Sequence, residues 1–449
     1  MIRLILFIAV VISISISSVN SAIILIPDDY PTIQQGINAS TAGDTVLVHP
    51  DEYGEFIIFH INGIMLGSLF ILTGDTSYIS TTIINAHAIG PVIEFPEGID
   101  SSSILAGFTL TYGWSPFGGG IYCRGSGPII RNNIITENGA YKGAGIYCES
   151  QSYPQIYSNL ICGNETASSQ YDSDGAGIYS TGSSPVVSNN IIRNNIALLS
   201  WPGYGYGGGI SCFYSNAIIT NNTIVNNQAS HGGGLSCTQS QSTSVVNNIF
   251  WGNTASHSDS QAYGIPQISY CNVQGGYPGI GNINQNPYFR NPPQEYYLMA
   301  IACGDSMDSP CIDAGQPDII DDILDCWHGL GVNRSDIGAF GGANGFWHVT
   351  NAPDEYIDPI FPTQILLHQN YPNPFNPITT ISYTLPSSSV ATVNVYNITG
   401  QHITTLASGL HQPGTYNVTF NASGLSSGIY FYRLNTGDFT AIGKMILLK

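Results

Sequence analysis

Lysine is almost missing from this chain: among 449 residues only Lys142, Lys444 and Lys449 carry it. Charged residues of every kind make up 9 %, against roughly 25 % in an average protein. Lys and Arg number 10, Asp and Glu 29, and the net charge is −19. A surface this acidic and this poor in bases excludes nucleic acid and anionic membrane as partners. No CxxC pair and no paired-histidine spacing is present, which disfavours zinc. After the N-terminus no apolar run reaches the ~18 residues of a spanning helix, so no transmembrane segment is expected in the mature chain. No Ser-His-Asp pattern can be placed, and His231 and His257 read as lone turn residues.

What the chain has in quantity is glycine, 51 residues, and asparagine set in register. Asn133, Asn159, Asn190, Asn222 and Asn248 form one column. Each is followed five residues later by a second, Asn138, Asn164, Asn195, Asn227 and Asn253. Units open on GGGIYC, GAGIYC, GAGIYS, GGGISC and GGGLSC, and Gly120, Gly145, Gly177, Gly209 and Gly234 are spaced by 25, 32, 32 and 25 residues. Periods of roughly 20–50 residues indicate solenoids or propellers. The apolar runs are short, β-branched and bounded by Gly, Pro, Asn and Ser, so they read as strands. Ile130, Ile156, Val187, Ile219 and Val245 fall three residues before the Asn column, and Ile135, Ile161, Ile192, Ile224 and Phe250 two after it. Columns of like residues suit parallel strands in register, with the Asn amides bonded to one another across a strand spacing of roughly 4.8 Å. The neighbouring column is broken by Ser158 and is taken to be less constrained. The Asn ladder is therefore structural, and its polar residues are discounted as a site.

Earlier coils are degenerate. GFTLTYG (107–113) is aligned with NIITENG (133–139), and GDTVLVHPDEY (43–53) reads as the first full strand and turn. YPTIQQGINAS (30–40) reads as a short amphipathic helix with Ile33 and Ile37 on one face. It would cap the apolar end of the stack. These features resemble the right-handed parallel β-helix (pectin-lyase-like) superfamily over roughly residues 23–345. The resemblance implies an all-β fold and leaves activity open.

The first 21 residues read as a signal peptide: Arg3, an apolar stretch Leu4–Ile16, then small residues at Val19-Asn20-Ser21. The β-helix is placed at 22–345, a linker at 346–363 and a second domain at 364–449. There YPNPFNP, VYNITG, LSSGIYFYRL and a Lys-bearing last strand resemble the C-terminal sorting domain of type IX secretion cargo. That implies the type IX machinery as partner of 364–449, and a secreted or cell-surface location. Turns every 8–12 residues predict a small antiparallel β-sandwich, with strands within 391–400, 414–420, 428–434 and 442–449.

Nine cysteines leave at least one unpaired in the chain. Cys123, Cys148, Cys212 and Cys237 share a column with Ser180 and are read as an inward column of small residues; cross-coil disulfides are the alternative. Cys303, Cys311 and Cys326 lie in an irregular region that suits a disulfide in an oxidising compartment. The terminal SPCIDAG…DIGAFGG stretch (309–342) ends the helix as an acidic cap. Its Asp318, Asp321, Asp322, Asp325 and Asp336 are read as solvated or as holding Ca²⁺, the one cofactor the sequence admits.

Two coils are seven residues longer than the rest. Their insertions bring Tyr171, Asp172, Asp174, Trp201, Tyr204 and Tyr206 to one side, beside an outward stripe of Tyr122, Tyr147 and Tyr179. Aromatic faces with a few oxygens suit sugars, so Tyr147, Tyr171, Tyr179, Trp201, Tyr204 and Tyr206 are the candidate extracellular-glycan contacts. A glycoside hydrolase would need two carboxyls about 5–10 Å apart, and Asp172 with Asp174 is the sole candidate pair. A polyuronate lyase is disfavoured, because Arg131, Arg193 and Lys142 occupy different columns. Glu149 is expected to pair with Arg124 one coil away. The expectation is an exported glycan-binding or adhesive β-helix. A carbohydrate-active enzyme on neutral glycans and a purely structural surface component are the alternatives.

Overall fold

The computed structural model describes residues 21–166, 173–197, 204–264, 267–290, 296–321, 324–326, 330–342, 365–385, 389–411, 414–437 and 439–448. The putative leader and linker of the sequence reading lie outside them. The described residues form two units, one reaching to residue 342 and one beginning at residue 365.

The first unit is a parallel β-helix with four sheets. Sheet I has ten strands, from Ile23–Ile26 to Gln267–Ser269, and sheet II has nine, from Asp51–Tyr53 to Asn272–Val273. Sheet III has eight, from Ile57–Ile58 to Ala262–Gly264, and sheet IV has eight, including Trp114–Phe117, Gly139–Lys142, Ser173–Asp174, Gly205–Tyr206, Gln228–His231 and Thr254–Ser258. Each coil visits IV, III, I and II in turn. The inward columns pair as the repeat requires: Ile130 with Ile156, Ile156 with Val187, Val187 with Ile219, and Ile219 with Val245. All five are buried and belong to one continuous core with the Ile135 column.

The asparagines form two buried ladders. Asn159 Oδ1 accepts from Asn133 N (3.0 Å) and Asn133 Nδ2 (3.1 Å), and Asn159 Nδ2 donates to the Ile130 carbonyl (2.9 Å). The same three bonds recur at each step, and the second ladder repeats them from Asn138 to Asn253. The ladder thus satisfies backbone groups at bends where strand pairing is interrupted. The degenerate coil joins the ladders one residue away from the expected alignment. Phe108 N donates to Asn133 Oδ1, Gly113 N donates to Asn138 Oδ1, and Thr109 pairs with Ile134. Residues 107–113 therefore match 132–138. The glycines have two separate reasons. Gly118, Gly143, Gly175, Gly207 and Gly232 all have φ between +59° and +66°, the left-handed region glycine enters without cost. Gly120 has an ordinary φ, but a Cβ there would stand 2.5 Å from the Gly145 carbonyl oxygen and 3.0 Å from Asn138 Nδ2.

At the N-terminal end, Ile33–Ala39 is helical, capped by Thr32 Oγ1 accepting from Gln35 N (3.2 Å), with Ile33 and Ile37 buried. It is preceded by a strand the sequence reading passed over, Ile23–Ile26, which pairs with Thr45–Val48.

The 309–342 stretch does more than end the helix. It runs back along the flank, over the column that Ser158 interrupts. Asn247 Oδ1 accepts from Gln316 N (2.7 Å), Asn221 Nδ2 donates to the Asp336 carbonyl (3.1 Å), and Asn189 Nδ2 donates to the Gly341 carbonyl (2.7 Å). Phe340 stacks on Tyr297 at 4.3 Å. Asp321 and Asp336 are buried rather than solvated, because the strap's own backbone amides need acceptors. Asp336 accepts from Asp313 N (2.7 Å) and Leu330 N (2.9 Å), and Asp321 accepts from Gly342 N and Asp336 N.

The cysteine column is in register and unoxidised: Cys123 beside Cys148, then Ser180, Cys212 and Cys237. A disulfide joins Cys303 to Cys326, while Cys311 is a buried thiol accepting from Asn272 Nδ2 (3.2 Å).

The second unit is an antiparallel sandwich. Ile378–Leu385 lies between Leu366–Leu367 and Gly414–Asn421, and the other sheet runs His402–His411, Ser389–Asn397, Gly428–Thr436, Phe439–Leu447. His402–His411 is a strand the sequence reading missed. Phe375 of the YPNPFNP motif is buried and ties down the last strand, donating to the Ile446 carbonyl (2.9 Å) and accepting from Leu448 N (3.0 Å).

Candidate functional site

The left-handed glycines turn the chain between sheets IV and III, and this makes a concave corner. The residue before each glycine comes from sheet IV and the fourth after it from sheet III. One wall of the corner is the aligned column Phe117, Lys142, Asp174, Tyr206, His231, Ser258. The other is Tyr122, Tyr147, Tyr179, Ser211, Ser236, Tyr263.

In the earlier coils the corner is filled. Tyr147 stacks on Tyr179 at 5.4 Å and meets Tyr122 at 5.5 Å and Phe117 at 5.2 Å. Lys142 Nζ lies 5.2 Å from the Tyr179 ring centre and 2.6 Å from Asp174 Oδ2. Tyr147 and Tyr179 point away from the helix core as expected, yet retain only 5 % and 4 % exposure. The concavity lets the opposite wall cover them, so they offer no open stacking face. Glu149 accepts from the Tyr122 hydroxyl and from the Tyr147 hydroxyl (3.2 Å). It spends its oxygens on tyrosine, not in the expected ion pair with Arg124. Burial, and then the Glu149 charge, raise the pKa of both phenols. Asp174 is buried and held by Lys142, so work as an acid or base would first have to break that bridge. Its supposed partner Asp172 lies outside the described residues, as do Tyr171 and Trp201.

Two coils further on, serines replace the tyrosines on one wall, and aromatic rings lean in from the other. Tyr206 stacks on His231 at 5.0 Å, and Tyr263 closes against His231 at 5.0 Å. Tyr204, 44 % exposed, sits edge-on to His231 (5.2 Å) and His257 (5.3 Å). His231 and His257 are 5.5 Å apart, so they are not lone turn residues. The signal was available: His231 falls in register with Tyr206 one coil earlier. His231 Nδ1 lies 2.7 Å from Ser258 Oγ, and His257 Nδ1 lies 2.9 Å from Ser256 Oγ. Burial and the neighbouring His257 lower the His231 pKa, which keeps that ring neutral. Sheet IV also exposes Trp114 and Tyr141, edge to face at 5.9 Å, which the sequence reading did not single out. The result is a face of uncharged rings flanked by hydroxyls, able to stack on the C–H face of a sugar.

Among the described residues no group of three or more His, Cys, Asp or Glu is arranged to hold a metal ion. Asp318 is exposed, Asp325 half-buried, and Asp322 outside the described residues. Asp321 and Asp336 are committed to backbone amides. No helix among the described residues is long and apolar enough to cross a membrane.

A family model for the right handed beta helix region matches residues 10–250, and one for the secretion system C-terminal sorting domain matches residues 369–448. No curated protein matches the chain.

Proposed function

The chain belongs to the right handed beta helix family and is exported by type IX secretion to the cell surface or beyond, and from that premise we propose that it binds neutral glycan there without chemically altering it. The observation that carries the reading is the cluster of Tyr204, Tyr206, His231, His257 and Tyr263. It is the part of the corner where rings remain accessible and where no carboxyl stands ready beside them. Saccharide recognition needs flat apolar surface for the ring and oxygen or nitrogen atoms for the hydroxyls, and the cluster supplies both. Trp114 and Tyr141 on the same sheet extend the ring-bearing face to earlier coils, which suits an extended chain over a single sugar.

The test is a glycan array with the mature protein. Binding to uncharged glycans is expected, falling about fivefold or more in Tyr204→Ala/Tyr206→Ala, since each stacked ring contributes ~0.5–1.5 kcal/mol. Absence of binding, or binding indifferent to the double variant, rejects the reading. New reducing ends released from a polysaccharide panel, and lost in Asp172→Asn/Asp174→Asn, would replace it with the hydrolase.

A further inference from the structure

A second candidate site lies on sheet II, away from the strands that carry the tyrosine–histidine cluster. Trp251 and Val225 of adjacent sheet II strands face the segment 286–299, whose short hairpin pairs Phe289–Arg290 with Tyr297–Leu298. Between them is a cleft of about 360 Å³. Trp251, Tyr288, Phe289 and Tyr296 supply its rings, and Asn226 and Asn286 its amides. Phe289 and Tyr296 meet edge to face at 5.0 Å.

Three properties restrict what the cleft takes. None of its lining side chains is charged, so a charged ligand would lose its hydration without gaining a counter-ion. Rings on several sides suit a flat apolar face, and amides suit hydroxyls. The third property is the most specific. Tyr296 is 3 % exposed, and its hydroxyl makes no hydrogen bond of normal geometry, although Asn226 lies close by. Burial raises its pKa, so it stays a neutral phenol. A buried hydroxyl left unpaired costs ~1–3 kcal/mol, a cost that a ligand hydroxyl removes on binding. A purely apolar occupant would leave it in place.

We infer that the cleft formed by Trp251, Tyr288, Phe289 and Tyr296 is a binding site for one neutral sugar ring, with the Tyr296 hydroxyl and the Asn226 amide as its polar contacts. This inference is independent of the sheet III–IV corner, and either stands if the other fails.

The experiment uses the full chain carrying Tyr204→Ala/Tyr206→Ala, so that the first site is silent. Cellotriose and chitotriose are the probes, with N-acetylphenylalanine amide as the apolar comparison. Saturation-transfer NMR is expected to show ring C–H protons of at least one trisaccharide receiving magnetisation. Tyr288 lies at the rim, so Tyr288→Ala should keep the melting temperature and weaken binding about fivefold. Tyr296→Phe should keep or raise the melting temperature, because it deletes an unpaired hydroxyl, and should weaken trisaccharide binding. The inference is overturned if neither trisaccharide is saturated, if both variants bind as well as their parent, or if only the phenylalanine derivative binds.

Discussion

Truncating one rung of the asparagine ladder tests whether the ladder holds the stack or merely decorates it. Asn190 sits mid-ladder and is fully buried. Its Nδ2 donates to the carbonyls of Ile156 (2.8 Å) and Ser188 (2.9 Å) and to Asn222 Oδ1 (3.0 Å), and its Oδ1 accepts from Asn159 N and Nδ2, both at 3.0 Å. In Asn190→Ala the Asn159 amide hydrogen loses this acceptor in a site closed to water, at ~1–3 kcal/mol. The remaining lost bonds each contribute ~0.5–1.5 kcal/mol, discounted because Ser188 O keeps the Ser158 amide. The expected loss is roughly 3–5 kcal/mol. Because coils are stabilised by their neighbours, the damage should appear first as faster amide exchange in the coils on either side. Urea unfolding followed by circular dichroism gives the magnitude and hydrogen exchange gives the place. Asn216→Ala, at an exposed position, serves as control and should change stability by less than about 0.5 kcal/mol. A loss below ~1 kcal/mol in Asn190→Ala, or one no larger than the control's, would refute the assignment of the ladder as the element that satisfies the bends.

Two further predictions concern the strap and the thiols. Burial, and then mutual repulsion with Asp321, lift the Asp336 pKa to about 8, and burial lifts that of Asp321 to about 6. The folded state therefore keeps protons the unfolded chain releases near 3.8. The contribution of this pair is complete below that value and is lost as pH rises through about 6 and 8. Thermal melts between pH 5 and 9 should show the midpoint falling, with exchange at Ala339 and Gly341 accelerating; a midpoint that rises across that range contradicts the burial of the pair. Alkylation of the native protein followed by mass spectrometry should label half-buried Cys162 and spare Cys123, Cys148, Cys212, Cys237, Cys271 and Cys311. Rapid labelling of the column would show that it is not core.

Register was legible in the sequence because each coil repeats the same local solution. Inward isoleucines, ladder asparagines and left-handed glycines recur at fixed offsets, and any one coil predicts the next. The strap was not legible. Its partners Asn189, Asn221 and Asn247 lie more than a hundred residues from Gly341 and Asp336 in the first two cases, and the Ser158 interruption made that column look unimportant. The interruption is harmless because the strap's described contacts with this column begin at Asn189. The burial of Tyr147 and Tyr179 escaped for a different reason. Alternation along a strand says which side of its own sheet a residue faces, but whether that side is open depends on the angle to the next sheet. The glycine turn sets that angle, and Phe117, Lys142 and Asp174 then close over the rings. The same geometry made His231 and His257 into neighbours of Tyr204, although they are far apart in the chain from one another's turns. The candidate site was thus half legible: the right sheet and the right aromatic class, with its open part displaced by two coils.

The direction of the ladder bonds has a consequence for how this molecule can change length. A rung's backbone amide is satisfied by the side chain of the coil that follows, so every coil presents an identical socket to its successor. Coils of 25 and 32 residues use the same socket, and their difference is spent outside it, in the loops feeding sheet IV. Whole coils are in that sense interchangeable parts, whereas a fragment of one is not. The series stops where the part changes: Asn248 N meets Cys271 Sγ at 3.2 Å in place of another amide, and Asn253 Nδ2 meets Gln261 Oε1 at 2.7 Å. Lengthening the protein therefore requires no new invention in its interior, only another copy inserted before those two terminators.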